Sequence, residues 1–99
     1  MYYMYVLENG TDHYIGRTNN LRKRVRQHNA GMNFSTKSSM NWKLIYYEAR
    51  LNPEDAKRRE GYFKTSVGRR SLNRMLSSYN LTRNSFGNQS STSGEIIQK

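Results

Sequence analysis

The residues of this sequence that could do chemistry together are two phenols, a guanidinium, an imidazole and a carboxylate. Tyr5 and Tyr14 fall in two neighbouring predicted strands. Arg24 and His28 are one helical turn apart, and Glu60 falls in a later predicted helix. Such groups can transfer protons, stabilise negative charge and bind a hard metal ion. Because the 99-residue chain has no cysteine, thiolate metal sites, disulfides and cysteine nucleophiles are excluded.

Each of these placements also has a purely structural explanation. Paired tyrosines commonly pack across neighbouring strands. The stem of Arg24 can cover apolar surface, and His28 can be an edge histidine whose hydrogen bonds are satisfied. Glu60 can form a structural ion pair with Arg24. The roles of these residues therefore depend on the helices and strands that position them.

The amino-terminal segment predicts a β-hairpin. Residues 2–8 are rich in β-formers, and Asn9-Gly10 favours a tight turn before a returning strand over about 13–17. A strict two-residue loop would place Tyr5 directly opposite Tyr14 on one sheet face, whereas Thr11 and Asp12 would shift that register if they lengthened the loop.

The next segment predicts a helix over about 20–30. Residues 18–20 supply N-cap candidates and Gly31 is placed to end it. Leu21 and Val25 share a stripe, with Arg24 and His28 beside it. Three basic residues turn away into solvent: Arg22, Lys23 and Arg26.

The remaining elements follow from composition and spacing. Residues 31–41 are polar and aperiodic, which predicts a surface loop, and 42–50 predict a third strand in which residues 44 and 46 alternate with 45 and 47. Asn52-Pro53 begins a helix that runs to about Lys64 and places Glu60 on the apolar stripe with Ala56 and Phe63.

A last helix and a tail complete the predicted fold. The helix has an apolar face made by Val67, Ser71, Leu72, Met75, Leu76 and Tyr79. From about Asn80 the composition turns to polar residues, so we predict a domain over 1–80 and a disordered tail over 81–99. The order β-β-α-β-α-α predicts an α+β fold with a three-stranded antiparallel sheet flanked by helices.

The charge of the chain points to a polyanionic partner. Seventeen Lys and Arg residues against seven Asp and Glu give a net charge of +10, which favours nucleic acid. The sequence has neither an apolar run of ~18 residues nor a signal-peptide pattern, so we expect no membrane partner and a soluble, cytoplasmic protein.

In order and spacing, several of these residues resemble the signature of the GIY-YIG nuclease family. The matching positions are Tyr3-Met4-Tyr5, Tyr14-Ile15-Gly16, Arg24 and His28. The resemblance covers about residues 2–76. The first triplet departs from Gly-Ile-Tyr and keeps only its last tyrosine, which is the one with a catalytic role in the family.

Three further positions extend the resemblance. Arg17 matches a position that is often basic in the family, and Glu60 looks like the family's metal-binding glutamate. Asn73 is the nearby counterpart of the asparagine that often follows that glutamate. The resemblance thus implies a DNA endonuclease with one Mg²⁺, or Mn²⁺ in its place, held by Glu60. The scarcity of acidic residues and the lack of a paired-carboxylate motif also disfavour a two-metal site.

The resemblance implies roles for the other residues. A tyrosine, with Tyr5 favoured, acts as the general base for water or relays to it, and a cation such as Arg17 or Arg24 would help it ionise. Arg24 would stabilise the transition state. His28 would orient Tyr5 or donate to the phosphate, and Tyr14 would position the phosphate or the water.

We expect the other basic residues to contact the phosphate backbone of DNA. Binding through such contacts depends on salt and is weakly specific. These residues are Arg22, Lys23, Arg26, Lys57, Arg58, Lys64, Arg69 and Arg70. Relatives in the family serve DNA repair, branch resolution, restriction and mobile elements, usually with a separate targeting domain. This chain has no room for one, so we expect selectivity to come from a targeting protein partner or from DNA shape, or to be slight.

Two other functions remain open at this stage. The first is a module that keeps the fold and binds nucleic acid without cutting it. The second is an RNA-binding protein whose aromatic residues are stacking platforms.

Overall fold

A three-stranded antiparallel sheet with helices on both faces makes up the fold. The structure, a computed structural model, describes residues 1–10, 12–33, 36–37 and 41–87, with the backbone alone for 83–87. The strands are β1 (Tyr2–Glu8), β2 (His13–Thr18) and β3 (Lys43–Arg50), in the order β2-β1-β3. The helices are α1 (Leu21–Asn29), α2 (Pro53–Phe63), α3 (Ser66–Met75) and α4 (Ser77–Gly87). The predicted α+β class and sheet are confirmed.

The central strand β1 is buried on both faces. Met4 and Val6 pack with Phe63 of α2 on one face. Tyr5 and Leu7 pack with Trp42 on the other face, where α1 also lies. Side chains alternate along a strand, so the even-numbered residues of β1 face α2 and the odd-numbered residues face α1.

The hairpin register differs from the strict two-residue turn by two positions. Tyr5 lies opposite Gly16, and Leu7 lies opposite Tyr14. The loop is longer because Asp12 belongs to it: the Asp12 amide donates to Asn9 Oδ1 over 2.8 Å, and its carbonyl accepts from the Asn9 amide over 3.2 Å. A shift by an even number keeps each side chain on its face, so Tyr5 and Tyr14 still share one.

A β-bulge interrupts the predicted alternation of β3. Val6 pairs with Tyr46 and Leu7 with Leu44, which leaves Ile45 as the extra residue. Ile45 and Tyr46 therefore both pack on the α2 face, while Leu44 packs on the α1 face. The prediction that Leu44 and Tyr46 share a face was wrong for this reason.

The predicted capping residues lie at the ends of α1 and at the start of α2. The Asn20 side chain accepts from the Lys23 amide at the start of α1, and Gly31 follows its end with a φ of 75°. Asn52 accepts from the Glu54 amide at the start of α2, with Pro53 in the first position.

The carboxyl-terminal helices differ from the prediction. The single predicted helix is divided at Leu76 into α3 and α4. Val67 and Met75 are exposed, so only Leu72 and Leu76 of the predicted face reach the core cluster. The helix α4 extends to Gly87, past the predicted boundary at residue 80. The rest of the predicted tail, 88–99, lies outside the described residues.

Two contacts hold the outer elements on the sheet. Arg59 of α2 donates two hydrogen bonds to Glu48 of β3, over 2.7 and 2.9 Å. The Tyr79 hydroxyl of α4 donates to Glu8 of β1 over 2.5 Å. None of the described helices has the length and apolarity needed to cross a lipid bilayer.

Candidate active site

The two hairpin tyrosines meet on the α1 face of the sheet. Their ring centroids are 6.2 Å apart, on neighbouring strands. Gly16 lies between them: a Cβ there would come within 2.7 Å of Tyr5 Oη and 2.9 Å of Tyr14 Cε2. No side chain fits in that space. The glycine of the Tyr-Ile-Gly triplet therefore leaves the space that the two phenol rings occupy.

The Tyr5 hydroxyl is the centre of a buried hydrogen-bonded cluster. Its oxygen is 2.8 Å from His28 Nε2 and accepts from Arg24 Nε over 3.3 Å. Tyr14 completes the cluster, with its ring centroid 4.7 Å from that of His28. The tyrosines, Arg24 and His28 are thus brought together, as the sequence predicted from the inward placement on α1.

His28 has a second partner that sequence analysis did not single out. Its Nδ1 is 2.7 Å from the hydroxyl of Thr36, and both residues are buried. Thr36 belongs to the segment that was predicted to be a surface loop, so that prediction was wrong at this position. No periodicity identifies Thr36, because its burial depends on a contact with another element.

The segment that carries Thr36 is anchored from both sides. The Asn29 side chain exchanges two hydrogen bonds with the Trp42 backbone, accepting from its amide over 2.6 Å and donating to its carbonyl over 2.9 Å. The Trp42 indole donates to the Thr36 carbonyl over 3.4 Å. These bonds connect the end of α1 to the start of β3 and hold Thr36 against His28.

The pKa shifts of Tyr5 and His28 both favour the uncharged form of these groups near neutral pH. Burial, and next the Arg24 guanidinium, lowers the pKa of His28 to about 4. Burial also raises the pKa of Tyr5, against an opposing effect of Arg24. The expectation that a cation would help Tyr5 ionise is therefore met only in part: Arg24 acts in that direction, but desolvation is larger. Arg17, the other candidate, bonds to Glu60 instead.

Arg24 has no acidic partner among the described residues. Its Nη1 donates to the neutral amide of Gln27 over 3.0 Å, and its Nε donates to Tyr5. The structural ion pair with Glu60 considered above does not form. A half-buried guanidinium without a counterion is suited to bind an anion.

Glu60 forms ion pairs with two cations. Arg17 Nε is 2.6 Å from one carboxylate oxygen and Lys64 Nζ is 2.9 Å from the other. The side chain lies beside buried Ala56 and Phe63, as its place on the α2 stripe predicted. Lys64, which the sequence predicted to contact DNA, is one of the two residues that pair with this carboxylate.

One cavity joins the two sides of the sheet around the edge strand β2. It has a volume of about 450 Å³, and its lining includes Tyr14, Gly16, Arg17 and Glu60. A second cavity, of about 310 Å³, shares Arg17 with the first and is lined by basic residues of α1. Tyr5 lines neither, because its hydroxyl lies one layer below, against Gly16.

The donor set fits a metal that needs few protein ligands. The described residues contain no group of three or more His, Cys, Asp or Glu side chains that could hold an ion. Mg²⁺ often binds through one or two carboxylates and keeps several waters. Glu60 is the carboxylate that lines the cavity, which fits the few protein ligands that Mg²⁺ needs.

The remaining predicted site residues lie apart. Asn73 is exposed on α3, and among the described contacts no hydrogen bond joins it to the tyrosines or to Glu60. Six further basic residues are exposed, on α1 or on α2 and α3, which pack on opposite faces of the sheet. They are Arg22, Arg26, Lys57, Arg58, Arg69 and Arg70. Lys23 is exposed too and lines the second cavity.

Comparison with known proteins gives two matches. Residues 1–74 match a family described as the GIY-YIG catalytic domain. A similar protein is the UPF0213 protein CPE1444 of Clostridium perfringens (strain 13 / Type A), which is 39% identical over 66 residues, or 65% of this chain and 71% of that protein. No solved structure matches the chain.

Proposed function

The chain belongs to the GIY-YIG family, and from that premise we propose that it is an endonuclease that hydrolyses DNA phosphodiester bonds with one divalent metal ion. The observation that carries the proposal is the shared cavity: Tyr14, Arg17 and Glu60 line it together. A phenol, a guanidinium and a carboxylate are thereby presented to one cavity of about 450 Å³, which has room for a phosphodiester. The fold alone would not support a nuclease, because function depends on the site.

Arg24 and Arg17 are the groups we assign to the phosphate. Negative charge develops on the phosphate oxygens during hydrolysis, and a guanidinium can donate two hydrogen bonds to them. Arg24 is suited to this because no carboxylate neutralises it in the described part of the chain. The exposed lysines and arginines would contact neighbouring phosphates, with an affinity that falls as salt rises.

Tyr5 and His28 form the proton pathway. An attacking water would give its proton to the Tyr5 oxygen while Tyr5 passes its own to His28 Nε2, 2.8 Å away. A bound phosphate would offset the charge of Arg24 and so raise the pKa of His28 toward proton acceptance. Tyr14, which lines the cavity, would position the phosphate or the water.

Mg²⁺, or Mn²⁺ in its place, would be held by Glu60. When bound, it would polarise the phosphate and stabilise the leaving oxygen. Arg17 and Lys64, which now occupy both carboxylate oxygens, would turn to DNA phosphates as the ion and the DNA bind.

A second candidate function is nucleic-acid binding without cleavage. The observation in its favour is that both oxygens of Glu60 are already paired with cations, an arrangement that would equally serve a purely structural role. In that case, the basic surface would bind DNA and the cavity would have no metal.

The test is cleavage of supercoiled plasmid and of branched DNA with Mg²⁺ or Mn²⁺ by the wild type and by Glu60→Gln. We expect Glu60→Gln to lower the nicking rate by at least about 100-fold, because the carboxylate that holds the metal is lost. Glu54→Gln is the matched control: it makes the same charge change at an exposed position of the same helix and should leave the rate unchanged.

Binding measurements on the same variants separate the two functions. If DNA is bound but not cut by the wild type with either metal, the non-catalytic module is favoured. If the wild type and Glu60→Gln nick DNA equally, Glu60 is not the metal ligand.

A further inference from the structure

Thr36 and His28 have a geometry that goes beyond a packing contact. The imidazole of His28 is fully buried, and each ring nitrogen faces one hydroxyl: Nε2 is 2.8 Å from Tyr5 and Nδ1 is 2.7 Å from Thr36. Neither partner is a carboxylate, and burial lowers the pKa of His28 to about 4, so the ring is neutral near pH 7 and carries one proton. That proton is on Nδ1 or on Nε2, and the two hydroxyls determine which.

Arg24 makes the two arrangements unequal. Its guanidinium is always a donor, and it donates to the Tyr5 oxygen over 3.3 Å. With the proton on Nε2, the buried Tyr5 oxygen would accept from both Arg24 and His28. With the proton on Nδ1, Tyr5 accepts from Arg24 and donates to His28, so its own hydrogen is also used.

The acidity of the hydroxyls favours the same arrangement. A phenol is more acidic than an aliphatic alcohol, which makes Tyr5 the better donor and Thr36 the better acceptor. The order of donors is then Arg24 to Tyr5, Tyr5 to His28 Nε2, and His28 Nδ1 to Thr36. Each link joins described atoms at hydrogen-bonding distance.

We propose that Thr36 is a positioning residue that holds His28 in the tautomer protonated on Nδ1, which leaves Nε2 free to accept the proton of Tyr5. The inference rests on the proposed nuclease function for its purpose, but the tautomer is a property of the folded protein alone. In the reaction, the water oxygen would bond to phosphorus and the bond from phosphorus to the leaving oxygen would break, while the water proton passes to the Tyr5 oxygen and the Tyr5 proton moves to His28 Nε2. The ring becomes an imidazolium, and the Nδ1 proton stays on the ring and remains hydrogen-bonded to the Thr36 oxygen.

The first measurement is the long-range ¹H–¹⁵N spectrum of the histidine rings in the full ¹⁵N-labelled chain near neutral pH. The chain has two histidines, so a His13→Gln variant assigns the spectrum. We expect the His28 Nδ1 resonance in the range of a protonated nitrogen and Nε2 in the range of an unprotonated one. The opposite pattern, or a doubly protonated ring, would overturn the proposal whether or not the protein cuts DNA.

The second measurement compares Thr36→Val with Thr36→Ser. Valine keeps the shape but removes the acceptor, so the His28 signals should shift toward the form protonated on Nε2, and kcat for nicking should fall by about 10- to 100-fold with KM unchanged. Serine keeps the acceptor and should restore both the wild-type spectrum and most of kcat. A residue with only a packing role would not alter the tautomer.

The outcomes keep the two proposals distinct. A wild-type protein that shows the Nδ1 tautomer but cuts no DNA refutes the nuclease function and leaves the role of Thr36 on His28 intact. A Thr36→Val protein that keeps the wild-type tautomer overturns the role of Thr36 even if cleavage is normal.

Discussion

At the scale of single residues, Gly16 and Thr36 show two ways in which small side chains arrange a site. Gly16 acts by leaving space, because the two tyrosine rings occupy the volume where its side chain would lie. Thr36 acts by presenting a hydroxyl to a buried ring. Neither residue carries charge, yet together they decide the position of Tyr5 and the partner of His28.

Replacement of Gly16 by alanine tests the first of these effects. The new methyl group would displace both tyrosine rings, so we expect nicking to fall by on the order of 100-fold and stability to fall by about 1–3 kcal/mol. Activity is measured under conditions in which circular dichroism shows the variant to be folded. Full activity in that variant would mean that the positions of the two phenols do not matter.

The matched control for this variant is Gly61→Ala. It adds the same methyl group at an exposed position of α2, where a Cβ meets no atom within 4 Å. We expect it to nick DNA at the wild-type rate.

At the scale of elements, the sequence predicted what depends on local periodicity and missed what depends on contact. The helices that carry Arg24, His28 and Glu60 could be predicted because their apolar stripes and N-cap residues depend on residues that are close in the sequence. The two-residue shift of the hairpin register and the bulge at Ile45 could not be read in this way, since both are decided by pairing across strands. The pairing of Glu60 with Arg17 was missed because these residues are distant in the chain.

The junction of α2 and α3 makes a separate prediction about stability. A Cβ at Gly68 would collide with the backbone carbonyl of Tyr62 and lie 2.8 Å from Phe63 Cα. We therefore expect Gly68→Ala to lower the free energy of unfolding by about 1–3 kcal/mol. By contrast, Gly61→Ala should raise it by up to about 1 kcal/mol, because alanine is the better helix former.

Urea unfolding of both variants gives the measurement. The glycines lie seven positions apart in the same pair of helices, so a general effect of alanine would shift both curves in one direction. Opposite shifts are the expected result.

At the scale of the whole molecule, two groups make the fold sensitive to acid. Burial holds the pKa of His28 at about 4, below its ordinary 6.5. Hydrogen bonds from Arg59 hold the pKa of Glu48 at about 2, below its ordinary 4.5. In both cases the unfolded chain takes up the proton first as pH falls, so stability is lost with falling pH. The stability that His28 contributes is lost as the pH falls from 6.5 to about 4, and the stability that Glu48 contributes is lost as the pH falls from 4.5 to about 2.

A comparison of the wild type with His28→Gln tests the upper window. Between pH 7 and pH 5, the wild type should lose about 2 kcal/mol of unfolding free energy through His28, and about 3 kcal/mol over the full window. His28→Gln removes the titrating group and should show a much flatter dependence. Urea unfolding at several pH values measures both, and parallel curves for the two proteins would contradict the assignment.

The central position of β1 has a consequence for how the fold assembles. This strand precedes every other described element, yet one of its edges pairs with β3, which ends only at Arg50. A nascent chain can form the hairpin early, but the phenols of Tyr5 and Tyr14 then remain open to solvent until later segments emerge. Thr36 and Glu60 join them last, so a partly synthesised chain lacks the complete site on which the proposed cleavage depends.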